Sequence, residues 1–126
     1  METKIKLQLG SKAGQEFAKF LEKEIKAGRI SKEYQVQFKT GGRAAGGLGL
    51  AIPPEVIIAF ASGITGAMAS EIGKTLWSKI REFLGKKQDI IPQTESVIIV
   101  QNEQFVFNPK QMDEEPPSEL IEWGDT

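Results

Sequence analysis

Apolar and polar residues alternate over 4–9, where Ile5, Leu7 and Leu9 are separated by Lys6 and Gln8, and this period of two predicts a half-buried strand. After Gly10 the period lengthens. Phe17, Phe20, Leu21 and Ile25 recur at three- and four-residue spacing with Lys19, Glu22, Lys23 and Lys26 between them. Ser11 is therefore expected to cap a helix that stops at Gly28. Alternation returns at Tyr34, Val36 and Phe38, a second strand that ends at the Gly41-Gly42 break.

From 41 to 70 the chain reads GGRAAGGLGLAIPPEVIIAFASGITGAMAS, with Arg43 and Glu55 as its only charges. Residues 41–52 hold too much glycine for a regular element and are expected to form a flexible loop. Pro53 and Pro54 suit the first turn of a helix, where a missing N–H does no harm, and Glu55 suits its positive end. A long helix is expected over 53–84, bent near Gly63, Gly66 and Gly73 because a straight one is about 48 Å long. Its second half is amphipathic through Ile72, Leu76, Ile80, Phe83 and Leu84, whereas the apolar residues of its first half surround the axis.

Residues 96–100 and 105–107 read as a strand pair joined at Asn102-Glu103. Residues 110–126 carry six acidic side chains against one lysine, the composition of a mobile acidic tail. The order is β-α-β-α-β-β, and the economical packing is an α+β two-layer sandwich: one domain over 1–109, followed by the tail.

Composition narrows the chemistry. The 126 residues include 16 basic and 17 acidic side chains, so the backbone of a nucleic acid would find no basic excess. Cysteine and histidine are both absent, which removes disulfides, thiolate nucleophiles, the common zinc sites and the usual general base near neutral pH. No catalytic, cofactor or metal site is expected, and the protein reads as a non-enzyme. The N-terminus lacks the apolar stretch of a signal peptide, so the expected location is cytoplasmic, with membrane association as the alternative.

Gly73-Lys74-Thr75 has the ending of a phosphate-binding P-loop, but Met68 stands where that motif needs its first glycine, and the residues lie within a helical pattern. GGRAAGGLG precedes two prolines and a glutamate, which deprive an anion of donors. The small residues say more. Ala59, Gly63 and Ala67, and likewise Ser62, Gly66 and Ser70, are spaced by four, so a helix over 53–84 would carry a ridge that another backbone can approach. The neighbour is the protein's own sheet or first helix, a partner helix or second copy, or a bilayer, and the pattern leaves the three open. Val56 to Ser70 is short of the roughly 20 apolar residues of a span. Trp77, and Leu120, Ile121 and Trp123 in the acidic tail, complete the candidate interaction residues.

The segments KIKLQL, YQVQFKT, GGLGLAIPPEVIIAFASGITGAMASEIGKTLWSKIREFL and VIIVQNEQFVFNP follow one another in a layout that resembles the effector-associated constant component family of bacterial conflict systems. The resemblance spans residues 3–109. It implies a small non-catalytic component encoded beside a variable effector, such as a protease, and beside NTPase or adaptor modules. A protein partner of that kind is the expected ligand, with homo-oligomerisation and membrane contact as further options. The family contributes no catalytic residues.

Overall fold

The computed structural model describes residues 3–40, 42–43, 51–60, 66–91, 95–100 and 103–122. Strand β1 (Thr3–Gln8) leads through Gly10 into helix α1 (Ser11–Lys26), and strand β2 (Tyr34–Lys39) follows. Two short strands, β3 (Gly42–Arg43) and β4 (Ala51–Ile52), precede β5 (Glu55–Phe60) and helix α2 (Gly66–Lys86). A single 3-10 turn over Gln88–Ile90, the hairpin β6 (Ser96–Val100) and β7 (Glu103–Phe107), and a short helix α3 (Ser118–Ile121) complete the order. Ser11 is the first helical residue rather than the cap; Gly10, at φ 88°, holds the cap position without a side-chain hydrogen bond. Gly28 ends α1 as expected, at φ 79°, a conformation that glycine adopts freely.

The five long strands form one antiparallel sheet in the order β2-β5-β1-β6-β7. Because β1 and β2 are each antiparallel to β5, they run parallel to one another, joined by α1 across an intervening strand. By the same logic β5 and β6 are parallel and joined by α2 across β1. Two interlocking split β-α-β units result, the β-α-β-β-α-β pattern of the ferredoxin-like fold with one strand added at the edge. The expected α+β two-layer class holds, with helices against the sheet.

The core lies between the layers. Ile5, Leu7 and Leu9 of the β1 region, Val56, Ile58 and Phe60 of β5, and Ile98 and Val100 of β6 meet Phe17 and Leu21 of α1 and Leu76, Ile80 and Phe83 of α2. Phe17 and Phe83 join the helices through a tilted ring contact at 5.3 Å. On the other side of the sheet the register sets Ile57 between Lys6 and Gln37, and Ala59 between Lys4 and Gln35.

Three expectations are corrected. The helix over 53–84 is a strand and a helix: 55–60 is strand β5, second from the edge, and α2 begins at Gly66. Val56, Ile57 and Ile58 are β-branched and suit a pleated strand, and both faces of β5 are covered, so its apolar residues show no alternation. Residues 55–60, the apolar half of that expected helix, are hydrogen-bonded on both sides within the sheet. Among the described residues no helix is long and apolar enough to cross a membrane.

The second correction concerns 41–52. Gly42–Arg43 and Ala51–Ile52 pair as β3 and β4, and their register continues that of β2 with β5. Tyr34 pairs with Phe60, Lys39 with Glu55, Gly42 with Ile52 and Arg43 with Ala51, each step up one strand matched by a step down the other. The two pairs are one ladder interrupted opposite Pro53-Pro54, which have no N–H to donate. Residue 41 and residues 44–50 of the expected loop lie outside the described residues. The third correction is the tail: residues 110–122 dock on α2, where α3 buries Leu120.

One charged cluster ties α1 to α2. Glu24, buried near the end of α1, accepts hydrogen bonds from Lys79 Nζ of α2 at 2.7 Å and from Arg29 Nε. Lys79 also reaches Glu82, which pairs in turn with Lys86. The hydrogen bond from Lys79 is the main cause that holds the Glu24 carboxyl below its ordinary 4.5, against the opposing effect of desolvation. The same bond holds Lys79 above its ordinary 10.5.

The stability from Glu24 is therefore present above pH 4.5 and is lost as pH falls through the depressed folded value. That from Lys79 is complete below pH 10.5 and is lost as pH rises through the raised one. Arg29 is 62% exposed, so the cluster is shallow and sits between a surface pair and a deeply buried one. Glu24→Gln is expected to lower stability at pH 7 by about 1–3 kcal/mol. Urea titrations of the two proteins are expected to converge below the depressed pKa, where the parent has lost the same contribution; an undiminished gap there would contradict this assignment.

Candidate functional site

The ten interaction residues expected from the sequence do not form one surface. Ala59 lies on β5, on the sheet side opposite the core, and Gly66, Ala67 and Ser70 lie in the first turns of α2. The spacing by four that links Ala59 to Ala67 thus crosses from strand to helix, so these two do not share a helical ridge. Ser62, Gly63 and Trp123 lie outside the described residues. Trp77 is 3% exposed and Leu120 2%, both inside this protein's own core, with Ile121 partly buried on α3.

Ala67 marks a place where the structure does assemble a site. A cleft of about 310 Å³ opens between the start of α2 and the adjoining ends of β2 and β5. Phe60, Tyr34 and Ile72 give it apolar walls, with Ala67 and Met68 beside them and Glu33 and Glu71 at the rim. Tyr34 and Phe60 are directly paired across β2 and β5, and their rings meet edge to face at 4.9 Å and 81°. That contact fixes the aromatic wall. Helix α2 supplies the opposite wall because Met68, Glu71 and Ile72 fall at three- and four-residue spacing on it.

Burial pushes the Tyr34 phenol up to about 12, with the nearby Glu71 carboxylate acting in the same direction and a hydrogen bond with Thr75 opposing both. The phenol is neutral at physiological pH and acts as a hydrogen-bonding group. Both rim glutamates are exposed, and no basic side chain stands among the described lining residues. The cleft therefore suits a single apolar or aromatic side chain whose own chain carries positive charge nearby. Sequence reasoning named Ala67 but missed Tyr34, Phe60, Met68, Glu71 and Ile72, which come together only through the β2–β5 pairing. That Tyr34 is the single tyrosine of the chain was the one available hint.

A second assembly lies further along α2. Trp77 packs its ring against Phe107 at 5.5 Å and Phe105 at 6.4 Å, and its indole N–H donates to the Asp113 carbonyl oxygen at 2.8 Å. One turn earlier, Gly73 lies directly under α3: a Cβ at that position would overlap the Leu120 carbonyl oxygen. Gly73-Lys74-Thr75 thus lies within a helix, as expected, and its glycine serves a close backbone approach.

Among the described residues no group of three or more acidic side chains is placed to hold a metal ion. Comparisons with protein-family models, curated proteins and solved structures give no match.

Proposed function

We propose that this chain is a non-catalytic protein-binding component of a prokaryotic conflict system, coupling a sensor or NTPase module to an effector, and that the cleft at Tyr34 receives the partner's anchoring side chain. The observation that carries the reading is the cleft itself, with an aromatic wall fixed by strand pairing, a helix wall and an acidic rim. Its volume and apolar walls suit one large side chain. The groups whose ionisation is shifted support the same reading, because Glu24 and Lys79 hold the helices together and the Tyr34 phenol is a neutral wall group. The layout resemblance to the effector-associated constant components supplies the biological setting.

Capture of the proteins encoded beside this chain tests the proposal. Ala67→Trp, at an exposed position of the first helical turn, fills the cleft without disturbing the core. It is expected to reduce the retained partner by about tenfold, the loss of roughly 1.4 kcal/mol or more that an anchor supplies. Gln35→Asp, on the other side of β2, is expected to leave capture unchanged. Equal retention by Ala67→Trp and the parent would overturn the assignment.

A further inference from the structure

The C-terminal segment sits on α2 like a ligand in a groove. Two points hold it: the Leu120 side chain, buried at the place that Gly73 leaves open, and the Asp113 carbonyl bonded to the Trp77 indole. Little holds it between them. Asp113, Glu114 and Glu115 are exposed, and a cavity of about 700 Å³ opens between this stretch and the floor formed by Trp77, Phe105 and Phe107. Three adjacent carboxylates repel one another. Helix α3 has four residues, far below the length at which a helix is stable alone, so its order comes from the groove. The start of the segment is better fixed, by buried Pro109, by Met112 against the core and by the Asp113 carbonyl on Trp77, which makes residues 114–117 the hinge.

We infer that the part of this groove beside Gly73 is a segment-binding site whose resident occupant is exchangeable, and that the second occupant is residues 118–122 of another copy of this chain. The contact that Leu120 makes beside Gly73 is equally available in the groove of a neighbour, and reciprocal exchange closes a two-fold dimer in which each copy contributes Leu120 to the other's site. Gly73 sets the selectivity, because only a residue lacking a side chain lets the Leu120 backbone lie on the helix. The tether raises the effective concentration of the segment in its own groove, so exchange is favoured at high protein concentration or when the internal contact is broken. This inference stands apart from the cleft at Tyr34, on a different part of α2.

Two full-length variants test it. Gly73→Ala blocks the groove and keeps an intact segment; Leu120→Asp spoils the segment and keeps an intact groove. Each alone is expected to be monomeric by light scattering. Mixed, they are expected to give a one-to-one complex of two chains, the segment of the first seated on the second. A mixture that stays monomeric overturns the inference. A second arm needs no groove variant: the unaltered chain, raised from about 10 µM to about 1 mM, the range of tethered effective concentrations, is expected to pass from monomer towards dimer. Leu120→Asp is expected to remain monomeric throughout, and a parent that behaves identically to it overturns the inference as well.

Discussion

Ile58→Asp is expected to leave no folded protein at 25 °C. Ile58 is fully buried on β5, paired with Ile5 of β1 on one side and Val36 of β2 on the other, and it faces the helices. The change forfeits about 2–3 kcal/mol of apolar burial. It also places a carboxyl group among side chains that offer no donor, a further cost of several kcal/mol whether the group stays charged or takes up a proton. Together these match or exceed the lower half of the 5–15 kcal/mol that holds an ordinary domain folded. Far-ultraviolet circular dichroism and urea titration read the result directly. Gln35→Asp, on the exposed side of β2, is expected to stay within about 0.5 kcal/mol of the parent. A cooperative native transition retained by Ile58→Asp would mean that β5 is not part of the core.

Trp77→Ala is expected to cost about 3–5 kcal/mol, the usual range for deleting a buried aromatic ring. The ring packs on Phe105 and Phe107, joining α2 to β7, and its N–H is spent on the Asp113 carbonyl. Trp77→Phe restores most of the packing and loses only the hydrogen bond and some ring area, so a loss of about 1–1.5 kcal/mol is expected. The comparison separates two roles for this tryptophan. An anchor for a partner protein would leave the isolated chain's stability nearly unchanged on truncation; a groove floor within the fold lowers the urea midpoint of the chain alone.

What the sequence disclosed depended on whether an element has one wet face. β1, α1, β2 and the second half of the expected long helix each bury one side and show the other to solvent, and their periods were plain. β5 is covered on both sides, with Val56, Ile58 and Phe60 inward and Ile57 and Ala59 opposite, and its run of apolar residues carried no period. Pro53-Pro54 then suggested a helix start where they interrupt a ladder. The β-branched trio Val56, Ile57 and Ile58 was the signal that favoured a strand, and the small residues spaced by four drew attention away from it.

The same distinction governs the sites. The acidity of residues 110–126 argues for a mobile tail, yet Leu120 at Gly73 and the Asp113 carbonyl on Trp77 dock residues 110–122, and both contacts join positions far apart in the chain. The cleft at Tyr34 draws on 31–34, 60 and 67–72, which no local pattern connects. Local reading recovered elements, while both sites belong to their pairing.

The uninterrupted register from Tyr34–Phe60 to Arg43–Ala51 makes the β2–β5 hairpin a counting device for changes in chain length. Residues added or removed between Arg43 and Ala51 leave every pairing below them intact, so that interval is open to insertion. One residue added among Thr40, Pro53 and Pro54 would instead offset the two arms. Either the short upper pair or the whole of β2 would then have to turn its side chains to the opposite face, carrying Tyr34 out of its cleft. Relatives of this protein that differ in length within this region are therefore expected to differ beyond the prolines and to keep the spacing beneath them.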